Sequence, residues 1–148
     1  MMMDDTDTKI IKILKLNAKS TVSQISRKTA LPITTVHNRI KKLERNGVIK
    51  TYVPVLDYKK LGLSVSAYIL VNVDYRYLKE KGLSQYDLAS KIKSYNGVEE
   101  VAMVTGTSDI ILKMRTESVE ALSDFVTIQL RAIEGVEKTQ TALILNEV

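Results

Sequence analysis

Apolar residues near the start of the chain recur at the three- and four-residue spacing that places them on one side of an α-helix. The first such stretch predicts a helix with Ile10, Ile13 and Leu14 directed inward, and Asp5 or Thr6 is its expected N-cap. Polar residues fill the positions between them, so this helix is expected to bury only one stripe against a small core.

A second and a third helix follow, and a short turn joins them. Thr21 and Gln24 have the spacing of a capping box, which predicts that the second helix begins there. Pro32 ends it, because proline disfavours helical geometry at the residue before it. The third helix is predicted over residues 33–46, and Gly47 supplies a left-handed C-terminal cap. The inward residues predicted for these two helices are Val22, Ile25, Thr29, Val36, Ile40 and Leu43.

The character of the chain changes after the third helix. Residues 48–53 are β-branched and aromatic, which predicts a short strand that would serve as the wing of a winged helix-turn-helix domain. A proline, an aspartate and a glycine in the next ten residues indicate a connector. The sequence therefore predicts a first domain at residues 1–53, a linker at 54–63 and a second domain at 64–148.

In the second domain apolar residues first alternate with period two and then return to helical spacing. The predicted order is strand, helix, strand, strand, helix, strand, which is the ferredoxin-like βαββαβ arrangement and makes the chain an α+β protein. Asn96-Gly97-Val98-Glu99 and Glu134-Gly135-Val136-Glu137 each follow a helix and precede a strand, as two related βαβ halves require. Strands are expected at residues 65–73, 101–104, 110–114 and 141–145. A first helix is expected to be capped by Ser84 and a second to run from about Val119 to Ile133.

Both faces of the predicted sheet carry apolar residues. Two helices can cover only one face, so the other face is a predicted association surface. A second copy packed sheet to sheet would give a symmetric homodimer. The alternative is that these apolar side chains are simply exposed to solvent. The residues of the second face are Tyr68, Leu70, Val104, Ile111 and Ile144.

Charge divides the chain into two unlike parts. Residues 1–60 hold 13 Lys and Arg against 5 Asp and Glu, whereas residues 61–148 hold 9 against 12. The basic first part indicates a module that binds a polyanion, although a solvated helix surface would also be rich in lysine.

The polar face of the third helix fits double-stranded DNA. Asparagine pairs with adenine, arginine and lysine pair with guanine, and threonine methyl groups contact thymine. Residues near the start of a recognition helix usually reach the bases, and later cations hold phosphate. The base-reading candidates are Thr34, Thr35, His37 and Asn38, and the phosphate-binding candidates are Lys41, Lys42, Arg45, Arg27 and Lys28. The alternative is that this three-helix domain docks on another protein and does not bind DNA.

Composition excludes several classes of protein. The chain has no cysteine and one histidine, which argues against disulfides, thiolate catalysis, a metal site and triad chemistry. No apolar run has the length of a membrane span, and the acidic N-terminus does not resemble a secretion signal. We therefore expect a cytoplasmic protein that is not an enzyme, carries no cofactor and does not bind membranes.

Several stretches, taken in order and spacing, resemble one family. The chain resembles the Lrp/AsnC, or feast/famine, transcriptional regulators of prokaryotes over essentially its whole length, and it looks like an archaeal-type member. The resembling stretches are residues 7–14, 35–44, 46–49, 104–109 and 134–136, with Thr139 and Thr141.

The resemblance implies a sequence-specific regulator with an N-terminal winged helix-turn-helix and a C-terminal ligand-sensing domain, often called RAM. Members dimerise through the sheet of that domain, commonly assemble into tetramers or octamers, and often bind an amino acid between dimers. A pseudo-palindromic DNA site follows from the symmetry of such a dimer.

The family's Gly-x-x-Asp turn matches Gly106 and Asp109. Gly106 permits an unusual backbone turn, and the Asp109 carboxylate could receive the ammonium group of an amino-acid effector. Ser108 stands where members often carry an aromatic residue, and it completes the predicted effector site. The alternative is a hairpin turn in which the aspartate only accepts hydrogen bonds from backbone amides.

Two other functions compete with regulation. Some relatives with this two-domain plan are tetrapyrrole decarboxylases, but such an enzyme is expected to need acid or base groups in the second domain, and the one histidine lies in the first. A protein that organises DNA without sequence preference would use the same cations.

Overall fold

A computed structural model describes residues 3–147, and the chain divides into two compact units on either side of the Leu56–Asp57 bond. The first unit contains three helices, α1 (Asp5–Leu16), α2 (Val22–Thr29) and α3 (Ile33–Arg45). Gly47 follows α3 with a φ of +68°, as its predicted capping role requires.

Capping boxes begin the first two helices. At α2 the predicted pair is present, since the Thr21 hydroxyl accepts from the Gln24 amide at 3.2 Å. At α1 the N-cap is Asp4, so the prediction of Asp5 or Thr6 is wrong by one or two residues. The Asp4 carboxylate accepts from the Asp7 amide at 2.8 Å, and Asp7 reaches back to the Asp4 amide. Three acidic residues lie within this turn, and spacing alone does not distinguish which of them precedes the helix.

The core of the first unit is small. Ile10, Ile25, Val36 and Leu43 are fully buried, and one or two of them come from each helix. Partly buried apolar residues surround them, including the predicted inward residues Ile13, Leu14, Val22 and Ile40.

The predicted wing strand is absent from the structure. Residues 50–57 have no regular secondary structure, and the amides of Val48 and Ile49 both donate to the Leu43 carbonyl at the end of α3. A β-branched run forms a strand only where a neighbouring strand completes its hydrogen bonds. Within residues 3–147 no strand lies beside this segment. As far as the structure describes it, the first unit is therefore a helix-turn-helix domain without a wing strand.

The second unit has the predicted α+β architecture. Its elements are β1 (Val65–Val73), α4 (Tyr75–Lys81), α5 (Gln85–Lys93), β2 (Val98–Met103), β3 (Ile110–Thr116), α6 (Val119–Asp124) and β4 (Val136–Leu143), and α6 continues into a π-helical turn, Phe125–Leu130. The sheet order is β2-β3-β1-β4 with antiparallel neighbours, which is the ferredoxin-like order.

This unit has one helix that was not predicted, and several of its strand bounds differ from the sequence prediction. The helix α4 was not predicted, because its seven residues are too few to show an apolar period. The strands β2 and β4 begin earlier than expected. Most residues of β4 are exposed, as suits a strand at the edge of a sheet, and its middle is polar, so the apolar pattern appears only at its end.

The two faces of the sheet have different surroundings. On the inner face, β1 contributes Ala67, Ile69 and Val71, all fully buried against the helices. On the outer face, Tyr68 is 41% exposed, and Leu70 and Ile111 are half-buried opposite each other. No helix covers this outer face within the described residues of the second unit, as the sequence pattern predicts. In the described part of the chain no helix is long and apolar enough to cross a membrane.

Candidate nucleic-acid interface and ligand loop

The turn between α2 and α3 fixes how the third helix is presented. Ala30 ends α2 in the left-handed region with a φ of +56°, and the amides of Ala30 and Leu31 both donate to the Ser26 carbonyl. The Ser26 hydroxyl donates in turn to the Leu31 carbonyl. This closed set of hydrogen bonds leaves little freedom in the direction in which α3 leaves the turn.

The helix α3 has one buried and one solvated side. Val36 and Leu43 are fully buried and Ile40 is half-buried, so the opposite side is directed to solvent. The structure places every predicted base-reading residue on α3. Thr34, His37 and Asn38 are exposed, whereas Thr35 is half-buried at the edge of the buried stripe.

The predicted phosphate-binding cations are also exposed. Lys41, Lys42 and Arg45 lie in the second half of α3, and Arg27 and Lys28 occupy the last turn of α2. Among the described residues, no carboxylate lies within ion-pair distance of any of them. These cations therefore carry uncompensated positive charge, which an anionic partner would neutralise.

Arg39 is the exception among the cations of α3. Its guanidinium binds the Asp4 carboxylate and also lies 3.2 Å from a carboxylate oxygen of Asp7, which is buried. The Asp4 hydrogen bond raises the pKa of Arg39. The pKa of Asp4 is lowered, first by the hydrogen bond from the Asp7 backbone and then by Arg39. Arg39 thus ties α3 to the start of α1, a role that the sequence pattern did not reveal.

The predicted ligand loop lies between β2 and β3. Gly106 is exposed with a φ of +125°, a conformation that favours glycine, and Ser108 is buried. The turn is closed by the Val104 amide, which donates to the Asp109 carbonyl at 2.8 Å. Gly106, Ser108 and Asp109 are therefore brought together in one turn.

Asp109 joins this loop to two neighbouring elements. Its amide donates to the Val71 carbonyl at 3.0 Å, and its carboxylate accepts from the Val73 amide at 2.8 Å. The other carboxylate oxygen accepts from the Tyr75 hydroxyl at 2.9 Å. Gln85, at the start of α5, donates to the Asp109 carbonyl at 2.6 Å. The aspartate thus accepts a backbone amide, as in the predicted structural alternative, and both its oxygens are engaged.

Sequence reasoning missed Tyr75 and Gln85. Tyr75 begins α4, the helix that was not predicted, and Gln85 follows the Ser84 cap of α5. Burial and then the hydrogen bond to Asp109 raise the pKa of Tyr75. Tyr75 is nevertheless 53% exposed. Tyr75 therefore offers an accessible aromatic ring beside the loop that contains Ser108 and Asp109.

The described residues contain no group of three His, Asp or Glu side chains arranged to hold a metal ion.

Comparison with known families gives one match for each unit. Residues 3–50 match a family model described as winged helix-turn-helix DNA-binding. Residues 66–148 match the model of the Lrp/AsnC ligand binding domain. The second match alone covers more than half of the chain.

Similar proteins agree with both matches. The HTH-type transcriptional regulator FL11 of Pyrococcus horikoshii is 38% identical over 143 residues, which cover 97% of this chain and 89% of that protein. The transcriptional regulator NMB0573 of Neisseria meningitidis, solved as a complex with L-Met, has a TM-score of 0.89 at 26% identity, with 99% of this chain and 92% of that chain covered. LrpC of B. subtilis has a TM-score of 0.85 at 29% identity, with 100% and 98% covered.

Proposed function

Because this chain belongs to the Lrp/AsnC family of DNA-binding transcriptional regulators, we propose that two copies of it read a pseudo-palindromic DNA site through their α3 helices. Thr34, Thr35, His37 and Asn38 would read base edges. Lys41, Lys42 and Arg45, together with Arg27 and Lys28 of α2, would hold phosphates on either side.

One observation carries this assignment of residues. The exposed side of α3 bears asparagine, histidine, threonine and unpaired cations, while its other side is anchored in the core by Val36 and Leu43. Arg39 is held by Asp4 and Asp7 and is therefore not among the proposed DNA contacts.

Dimerisation is proposed to occur through the outer face of the sheet. This face carries Tyr68, Leu70 and Ile111, and no helix of the described second unit covers it. An isologous contact would use the same patch on both copies. Such a dimer would set the two α3 helices about 34–36 Å apart, or a multiple of that, so that both reach one side of the duplex.

We further propose that an amino acid modulates DNA binding at Gly106, Ser108 and Asp109. The second unit matches a ligand binding domain, and the Neisserial neighbour is a complex with L-Met. In this chain the Tyr75 hydroxyl already occupies one oxygen of Asp109, so an ammonium group would share or replace that bond. The effector would act by favouring one arrangement of dimers over another.

The deciding experiment is selection of DNA fragments by the purified full-length protein, followed by binding titrations on the enriched and on random sequences. We expect an enriched site with two-fold symmetry and an affinity at least a thousandfold above that for random DNA. Equal affinity for all sequences would reject sequence-specific regulation in favour of a DNA-organising role. Repeating the titration with each common L-amino acid tests the effector proposal separately.

A further inference from the structure

A cluster of charged residues lies on the outer face of the sheet in the second unit, on the same face as the proposed dimer contact and apart from the ligand loop. Its centre is Arg115, near the end of β3, whose side chain is only 10% exposed. Its Nε donates to Glu99 at 2.8 Å, and the Tyr58 ring lies 4.0 Å from the guanidinium carbon. The guanidinium is therefore fixed on one edge and covered on one face.

Glu147 binds the free edge of this guanidinium. Nη2 of Arg115 donates to both carboxylate oxygens of Glu147 at 2.8 Å. Lys113, with a side chain that is 18% exposed, lies 2.8 Å from one of the same oxygens, and the Tyr68 ring lies beside its ammonium group. One carboxylate is thus bound by two largely buried cations.

Among the described residues, the ion pairs to these two cations come from Glu99 and Glu147. Glu99 balances one positive charge, and Glu147 balances the other. Removal of an anion from a poorly hydrated site leaves a charge that the surrounding protein cannot compensate, so the site strongly favours some carboxylate. Burial, the stacked ring and Glu99 hold Arg115 in place without Glu147, which makes the site preorganised for an anion.

Glu147 is held less firmly than Lys113 and Arg115, the two cations that bind it. Glu147 lies beyond β4, which ends at Leu143, and its side chain is 43% exposed. A side chain tethered in this way competes at an effective concentration on the order of millimolar. A free carboxylate at or above that concentration could therefore take its place.

We propose that Lys113 and Arg115 form a binding site for a small organic carboxylate, and that Glu147 is a tethered occupant which such a ligand displaces. The site lies within the region that matches a ligand binding domain, but it uses none of Gly106, Ser108 and Asp109. The proposal therefore does not depend on the amino-acid effector suggested for the loop.

The test uses the full chain with acetate as the probe, because acetate replaces the atoms that Glu147→Ala removes. We expect E147A to have a lower thermal midpoint than wild type, and acetate to raise that midpoint saturably, with chloride at equal ionic strength having no such effect. Nitrogen-15 spectra should show acetate shifting the Arg115 Nε–H signal in E147A at a concentration at least tenfold lower than in wild type. E147Q keeps the shape of the side chain without its charge, so its amide still fills the site, and acetate should act on it less than on E147A and more than on wild type.

Two further variants test whether acetate acts at the site formed by Lys113 and Arg115. Glu137→Ala removes an exposed carboxylate of β4 and should show no acetate effect. Addition of Arg115→Gln to E147A should abolish acetate binding. The proposal is overturned if acetate and chloride act alike on both Glu147 variants, or if acetate binds equally well after Arg115 is replaced. The full-length protein in its native assembly is used throughout, so access to the site in an oligomer is part of the test.

Discussion

Single residues decide the direction in which α3 leaves the helix-turn-helix. Ala30 is the only residue other than glycine with a positive φ among residues 3–147, and left-handed geometry costs an alanine on the order of 1–2 kcal/mol. We expect Ala30→Gly to stabilise the folded protein by about 0.5–1 kcal/mol, because relief of this strain exceeds the added entropy of the unfolded chain. Urea unfolding measures the difference. Ala18→Gly, outside the turn, is the control and should not stabilise, and a loss of stability in A30G would contradict the strain.

The role of Asp109 is defined by its hydrogen bonds to Val73 and Tyr75 more than by its place in the Gly-x-x-Asp motif. Burial and then the hydrogen bond to Asp109 raise the pKa of Tyr75. The bond therefore adds stability below the ordinary tyrosine pKa, and this stability is lost as pH rises through the higher folded value. Asp109→Asn should lower the pKa of Tyr75 towards its ordinary value and reduce stability at neutral pH, since the Val73 amide and Tyr75 hydroxyl both lose a charged acceptor.

A tyrosine titration followed by NMR at pH 9–12 checks this expectation, with Tyr75→Phe identifying the signal. Asp87→Asn, which alters a carboxylate in the capping box of α5, serves as the control. An unchanged titration of Tyr75 in D109N would show that burial alone sets its pKa.

At the scale of elements, apolar periodicity predicted most of the helices and strands. It failed where an element is too short to show a period or where strand pairing decides the structure. The stripes of α2, α3 and β1 are evident in the sequence because each has one fully buried side. The helix α4 is too short to show a period, and the polar strand β4 is defined by its pairing with β1. Residues 48–53 have strand composition without a strand neighbour. The exposed face of α3 could be predicted, whereas the contacts of Arg39, Tyr75 and Arg115 could not, because the carboxylates that they bind lie 16 or more positions away along the chain.

The tie between α1 and α3 belongs to this scale. Arg39→Gln leaves the buried Asp7 carboxylate without its cation, so we expect a lower urea midpoint with an unchanged slope. The loss should shrink as pH falls through the lowered pKa of Asp4, because protonation removes the same ion pair from the wild type. Lys41→Gln, an exposed and unpaired cation on the same helix, is the control and should leave the midpoint unchanged.

The exposed face of α3 makes a separate prediction about DNA. Asn38→Ala should cost on the order of 1–3 kcal/mol at the selected site and less on random DNA, because a base contact is lost. Lys41→Ala should weaken binding to both and reduce the salt slope by about one unit, because a phosphate contact is lost. Fluorescence anisotropy across a salt series distinguishes the two classes, with the exposed Lys79→Ala of α4 as control. Equal losses of N38A on both DNAs would place Asn38 among the phosphate contacts.

At the scale of the whole molecule, the proposed dimer would make DNA binding by the first unit depend on the second. A single α3 helix contacts only one half-site, so tight binding requires a second copy held at the correct spacing. The outer face of the sheet, where Leu70 lies opposite Ile111, is proposed to hold it. In the proposed dimer, Leu70→Asp would bury a charge between the two sheets. In a single chain position 70 is only half-buried, so the aspartate can remain hydrated there.

We therefore expect L70D to be monomeric in light scattering at concentrations where wild type is a dimer, and to bind the two-fold site 10²–10⁴-fold more weakly, because bivalency is lost. Its affinity for an isolated half-site should match that of wild type, since α3 is untouched. Ile128→Asp, which places the same charge at an exposed apolar position of the π-helical turn, should change neither property. A dimeric L70D, or a monomer that binds the full site as tightly as wild type, would show that the sheet does not set the distance between the recognition helices.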